Sequence, residues 1–236
     1  MNKPRKSGRG RYILTLALLF AAQTVMSTTS SADADQNVTS PAHIGEHAEL
    51  IATRLSRLKF EYDESLLVRC AGRVRTSGQL ANLVCYPTDE SPHTARRVIR
   101  LINTTMQNRR MTAARLNGQL VEVWVNFSVL LEKTGNNQSA RIYNHHFLNT
   151  NTLGTEYISA QRVATETWFC FQRRFAEVVR ARVDANGMAH DIDISNGSLN
   201  DACKRNVLSA VDQSRFIPAF VGDTAVSSHY VEVFYN

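Results

Sequence analysis

Apolar and polar positions alternate along two stretches of the chain, and a glycine-bearing turn breaks each alternation. The first reads Cys70-Ala-Gly-Arg-Val-Arg-Thr-Ser-Gly78 and then Gln79-Leu-Ala-Asn-Leu-Val-Cys-Tyr86. The second reads Val179-Arg-Ala-Arg-Val-Asp-Ala-Asn-Gly187 and then Met188-Ala-His-Asp-Ile-Asp-Ile-Ser195. A period of two predicts strands, and Thr-Ser-Gly or Ala-Asn-Gly between them predicts a hairpin. The period then changes to 3.6. Ala95, Val98, Ile99, Ile102 and Met106 form one helical stripe behind Ser91, a candidate N-cap, and Pro92. Leu199, Cys203, Val207, Ala210 and Val211 form the other, with Ser198 and Asp201 spaced as a capping box. Both helices lead into matched tails, Arg110-Met-Thr-Ala-Ala114 and Arg215-Phe-Ile-Pro-Ala219. Each unit closes on an alternating strand, Val121 to Phe127 and Tyr230 to Phe234.

Strand, strand, helix, strand is therefore written twice, and Gly78, Arg73 and Val74 correspond to Gly187, Arg182 and Val183. The predicted fold class is α+β. Two small domains are expected, over 60–133 and 167–236, each a three-stranded antiparallel sheet (β-β-α-β) with an amphipathic helix on one face. The Asn-rich stretch between them, 134–166, reads as a linker. Within an N-terminal segment, 35–59, the recurrence of Leu50, Ile51, Leu55 and Leu58 predicts one more helix.

Residues 1–34 stand apart. Lys3, Arg5, Lys6, Arg9 and Arg11 precede an apolar run from Ile13 to Met26, and Ala32-Asp33-Ala34 supplies an A-x-A site. This is the layout of a cleaved export signal, which predicts a periplasmic protein. The apolar run is shorter than the roughly 20 residues of a spanning helix; an uncleaved inner-membrane anchor is the alternative, and membrane contact is expected only in that case. The signal changes how the charge is read. The whole chain carries 27 Lys+Arg against 21 Asp+Glu, a formal +6. Removing five of the 27 cations and one of the 21 acids leaves +2, so the basic balance is no argument for nucleic acid. With 43% hydrophobic and 20% charged residues, the chain is neither a disordered acidic segment nor a multi-span membrane protein.

Four cysteines, Cys70, Cys85, Cys170 and Cys203, suit an oxidising compartment. A hairpin centred on Ser77-Gly78 places Cys70 opposite Cys85, although a glycine-bulged turn would slip that register by one residue. Cys203 faces inward on its helix, which favours Cys170 as its partner. Three pairings are open, and free or cross-repeat thiols remain the rival reading.

The second repeat resembles the C-terminal domain of the TonB family. It carries Arg180-Ala-Arg-Val183, Asn186-Gly187, Ile194-Ser-Asn-Gly197, Arg215-Phe216-Ile217-Pro218-Ala219, Gly222 and Val231-Glu-Val-Phe234. The first repeat is more divergent. It keeps Gly72-Arg-Val74, Gly78, Gly118 and Val123-Trp-Val-Asn-Phe127, but has Ala113 in place of the tail proline. The resemblance implies a sheet whose last strand is an edge that pairs with an extended peptide of an outer-membrane receptor or another envelope protein. That edge is Val226, Ser227, Ser228, His229, Tyr230, Val231, Glu232, Val233 and Phe234. Unpaired N–H and C=O groups on an edge make strand addition physically sound. The family's S-x-x-x-H membrane helix and its long Pro-rich stretch are missing from residues 1–40 and from a chain with five prolines. The alternatives are a membrane-anchored energy transducer, if the N-terminal helix is uncleaved, and a structural envelope protein whose sheets leave no edge free.

No catalytic group is expected: the chain contains no G-x-S-x-G, H-E-x-x-H, P-loop or G-x-G-x-x-G pattern. No cofactor or metal is expected either, the His145-His146 pair lying in the presumed linker with side chains that diverge. His190 and His229 read as surface or edge residues. Arg96-Arg97, Arg109-Arg110 and Arg173-Arg174 read as solvated faces, and Trp124 as a cover for a contact between the domains.

Overall fold

The computed structural model describes residues 38–45, 47–58, 65–88, 92–107, 109–164, 176–195 and 199–235, with the backbone alone at 92–94, 176–177, 195 and 234–235. All of them belong to one compact unit. Residues 1–34, read as an export signal, and Ser91, Arg173-Arg174, Cys170 and Ser198 lie outside the described residues. In chain order the elements are α1 (His47–Leu55), β1 (Ser65–Val74), β2 (Leu80–Pro87), α2 (Pro92–Met106), β3 (Ala114–Leu116), β4 (Gln119–Val121), β5 (Val123–Thr134), β6 (Asn137–Tyr143), α3 (Thr150–Leu153), β7 (Gln161–Val163), β8 (Ala176–Val183), β9 (Ala189–Ser195), α4 (Asp201–Asp212), β10 (Phe216–Ile217), β11 (Ala219–Val221), β12 (Thr224–Val226) and β13 (Ser228–Tyr235). The protein is a mixed α+β structure built on small antiparallel sheets. One runs β10-β7-β5-β1-β2 with β6 also on β5, another runs β13-β8-β9, and β3-β4 and β11-β12 are two-stranded ribbons.

Both predicted hairpins form, and they form alike. In the first, Gly78 N–H donates to Arg75 O (2.8 Å) and Arg75 N–H to Gln79 O (2.9 Å). In the second, Gly187 N–H donates to Asp184 O (3.0 Å) and Asp184 N–H to Met188 O (3.0 Å). Each is a three-residue turn closed by a glycine in the left-handed region, with φ of 78° at Gly78 and 80° at Gly187. A Cβ at Gly78 would lie 2.3 Å from Met111 O, and one at Gly187 would lie 2.3 Å from Phe216 O. Turn and tail therefore both demand glycine. The turn does slip the register by one, and a bulge then restores it. Asn82 (φ 52°) and Asp191 (φ 53°) are the extra residues. Cys70 consequently faces Cys85, as Val179 faces Ile194.

The helices bury the stripes the sequence marks. Ala95, Val98, Ile102 and Met106 are closed off on α2, and Cys203, Val207 and Val211 on α4, while Ile99, Leu199 and Ala210 are half-buried. Helix α4 starts later than the capping box predicts. Its N-cap is Asn200, whose side chain accepts the Cys203 N–H (2.9 Å), and Asp201 is already helical. The helix predicted in 47–59 is α1, with Ile51 and Leu55 fully buried.

The stretch read as a linker is instead folded. β6 extends β5 by seven residue pairs, from Ser128↔Tyr143 to Thr134↔Asn137. β7 bridges Val123 and Trp124 of β5 to Phe216 and Ile217 of β10. Asparagine-rich composition misled here because alternation through Gln138, Ala140 and Ile142 is enough to half-bury one face of a strand. The apolar cores interleave in consequence. Ile217 and Phe220, from the second tail, pack with the first core, while Tyr157 and Ala160, from between the repeats, pack with the second.

Candidate functional site

The strand singled out for partner binding, β13, ends its sheet and pairs with β8 in unbroken register from Ser228↔Val183 to Tyr235↔Ala176. The opposite edges, β2 and β9, are each interrupted by the bulges at Asn82 and Asp191. Bulges blunt an edge against further pairing, so β13 is the more regular of these three. Val226 belongs to β12 and Ser227 lies between the strands, so the edge strand begins at Ser228, two residues later than predicted.

Antiparallel pairing turns successive residues' N–H and C=O groups alternately toward the neighbour and away from it. On β13 the outward set is His229, Val231, Val233 and Tyr235. Two of these are already engaged. Asn149 Nδ2 donates to His229 O (3.2 Å), and His229 N–H donates to Asn149 Oδ1 (3.1 Å). The His229 ring adds a third contact, Nδ1 to Asn149 Oδ1 at 3.0 Å. Asn126 Nδ2, from β5, donates to Val231 O (2.7 Å). Among the described residues, no strand or side chain meets the outward groups of Val233 and Tyr235.

The inward face of β13 carries a buried charge. Arg162 of β7 grips Glu232 bidentately, Nε to Oε2 at 2.7 Å and Nη2 to Oε1 at 2.7 Å. The Tyr230 hydroxyl donates to the same carboxylate. Arg162, Tyr230 and Glu232 are all buried. Burial opposes the Arg162 charge, but Glu232 outweighs it and the guanidinium is held more strongly protonated than usual. Burial and the adjacent Glu232 charge raise the Tyr230 phenol. Tyr230 also stands edge-on to Phe216, with ring centroids 5.0 Å apart.

The remaining sequence-selected residues are mainly structural. Phe216 is buried and Gly187 packs on its carbonyl, Pro218 lies beside that contact, and Gly222 (φ 58°) makes the β11-β12 turn. Arg215 is exposed, its carbonyl accepting the Val163 N–H (2.9 Å). Cys70 and Cys85 are bonded across β1 and β2. Cys203 is disulfide-bonded as well, and Cys170, the partner favoured for it, lies outside the described residues. Trp124 is half-buried and pairs in register with Arg162 and Arg73. His190 is exposed beside Asp184, at 3.3 Å.

His145 and His146 occupy a folded loop, not a linker, and both are buried. The Phe147 N–H donates to His145 Nδ1 (3.0 Å), so Nε2 carries the proton and donates to Thr155 O (2.9 Å). The ring stacks on Tyr157, with centroids 4.1 Å apart. His146 Nε2 donates to Cys70 O (2.9 Å). Burial is the main cause that pushes His146 down to about 4. His145 is lowered too, again chiefly by burial.

Sequence reasoning missed Asn126, Asn149 and Arg162. A lone arginine within a short Ala-Gln-Arg-Val-Ala run, where apolar neighbours predict burial, was the available sign for the last. The two asparagines carried none. Among the described residues, no helix is long and apolar enough to cross a membrane. The chain matches no protein-family model, and no curated protein or solved structure is significantly similar to it.

Proposed function

We propose that this is a non-enzymatic, exported envelope protein built from two tandem TonB C-terminal-like units, the first divergent, which captures an extended segment of an outer-membrane receptor or other envelope protein by strand pairing at β13. The reading places it in the periplasm and links it to TonB-dependent transport. One observation carries the pairing mode. β5 holds in its sheet the place β13 holds in the other, and β5 has its outer edge filled by strands of the same chain, β6 and β7. An edge of this geometry therefore accepts added strands, and β13 offers the same edge with no strand on it among the described residues.

The test is an NMR titration of the isotopically labelled full chain with a synthetic peptide copying Asn137–Tyr143, the segment that fills the corresponding edge of β5. Shifts at the Val233 and Tyr235 amides are expected, and Val233→Pro, which removes an outward donor while leaving the β8 ladder intact, should abolish the one at Tyr235. Binding that ignores this substitution, or no binding at all, refutes the site. A second reading, a structural envelope protein with no free edge, is favoured by the side chains of Asn126 and Asn149 on β13. Failure of the peptide to bind under any condition would select it.

A further inference from the structure

We infer that Asn149, assisted by Asn126, is a latch that holds the pairing edge of β13 partly closed, so that an incoming strand is admitted along its full length only when the latch is displaced. The inference rests on the strand-pairing reading above and concerns how that site is regulated.

The geometry is that of a counterfeit strand. In an antiparallel sheet, a residue in a hydrogen-bonded pair gives one N–H and accepts at one C=O to the residue opposite. The Asn149 carboxamide does both to His229, accepting at Oδ1 (3.1 Å) and donating from Nδ2 (3.2 Å). It supplies the atoms of one peptide group without a strand attached. The same position in the first repeat is filled by a real strand. Val74 pairs with Val123 and Val183 with Ser228, so Trp124 corresponds to His229, and Trp124 is paired with Arg162 of β7. By the same register Ser128 corresponds to Val233, and Ser128 is where β6 begins to pair with β5. In the second repeat, then, the side-chain amide takes the position of β7, and no described residue occupies the edge where β6 would begin.

The device is fit to be displaced. The Asn149 side chain also meets the Tyr157 hydroxyl, and of its three contacts to His229 two are to backbone groups. A peptide partner would replace them in kind, so exchanging the amide for a strand costs little hydrogen bonding. It would also lengthen the usable edge from Val233 and Tyr235 to the whole outward set beginning at His229. Asn126, which is buried, adds one donor at Val231 O and keeps that carbonyl satisfied while the edge is shut. Asn149 sits in the loop that joins β6 to β7, so the latch is carried by the segment that completes the first repeat's edge.

The experiment compares the full wild-type chain with Asn149→Ala and Asn149→Asp by amide hydrogen exchange and by titration with the Asn137–Tyr143 peptide. For Asn149→Ala, exchange at the His229 amide should rise about tenfold, as expected for losing two modest hydrogen bonds. Peptide affinity should rise about tenfold and the shifted amides should extend back to His229. Asn149→Asp keeps the acceptor and loses the donor, and should protect the His229 amide while freeing only its carbonyl. Exchange that rises with unchanged affinity overturns the latch and leaves the strand-pairing reading in place. Unchanged exchange in Asn149→Ala also overturns the latch. Peptide that binds no chain, wild type or variant, defeats the strand-pairing reading and the latch with it. A thermal midpoint close to wild type in Asn149→Asp guards against reading a folding defect as an opened edge.

Discussion

β5 and β13 occupy the same place in their sheets and meet the same difficulty, a row of outward backbone groups, by different means. Along β5 the groups are taken by β6 and β7, two strands of the chain itself. Along β13 they are met by two asparagine side chains over its first half and by nothing described over its second. The inward faces differ as well. Phe127 and Glu232 correspond in register, and both are buried, one as hydrocarbon and the other as a carboxylate gripped by Arg162. At this position β5 contributes hydrocarbon to the core beneath it, whereas β13 contributes a carboxylate tied to β7 by charge. The two strands share a register on their neighbours, and the segment between them fills the edge of one and not of the other among the described residues.

The charge difference gives the largest expected effect. Glu232→Ala leaves the Arg162 guanidinium buried without its carboxylate and should cost about 3–5 kcal/mol of stability, read as a lowered denaturation midpoint at constant m-value. The double replacement Arg162→Leu with Glu232→Leu should recover most of that loss. A single substitution that costs under about 1 kcal/mol would mean that the pair does not hold the repeats together.

Acid should act next, through the loop that carries the latch. His146 has its proton affinity lowered to about 4 in the folded protein, against an ordinary value of 6.5. The unfolded chain therefore takes up a proton first. Stability is whole above pH 6.5 and falls as pH drops toward 4, by about 3 kcal/mol from this group. His146→Gln keeps a donor for Cys70 O and should flatten that part of the pH profile; a slope unchanged by the substitution would assign it to other groups.

The disulfide sharpens the comparison from the other side. The second repeat has Val179 and Ile194 where the first has Cys70 and Cys85. Placing valine and isoleucine at 70 and 85 keeps apolar packing and removes only the cross-link. The expected cost is about 2–3 kcal/mol, in line with closing a loop of this length, measured by denaturation of the oxidised protein. Smallest should be Gly187→Ala against Gly135→Ala. The first must displace Phe216 O or open the turn, whereas a Cβ at Gly135 meets nothing within 4 Å and faces only its left-handed φ of 58°. The difference should be about 1–2 kcal/mol in thermal or denaturant unfolding.

What could be read from the sequence follows from how local the cause was. Hairpins, helical stripes and the recurrence of Gly78 as Gly187 depend on residues a few positions apart, and they were legible. So was the Cys70–Cys85 pair, for a partly mistaken reason: the turn slips the register and Asn82 puts it back. The alternation in Tyr230-Val-Glu-Val-Phe234 marks a strand without saying which of its faces is inward. In the fold Tyr230 and Glu232 are closed off and Val231 and Val233 are half-buried. A carboxylate on the buried face needs Arg162, seventy residues earlier in the chain. The asparagines that cover the β13 edge are equally remote, at 80 and 105 residues' separation. Their side chains carry no periodic mark, because what they satisfy is backbone.

The exchange of apolar residues between the two cores has a bearing on how the molecule comes apart. With Ile217 and Phe220 seated in the first core and Tyr157 and Ala160 in the second, neither half keeps its interior when the other melts. Heating should therefore produce one cooperative transition in place of two, with equal calorimetric and van't Hoff enthalpies. A chain cut within the β6–β7 loop should yield two fragments that are unfolded apart and regain structure only on mixing.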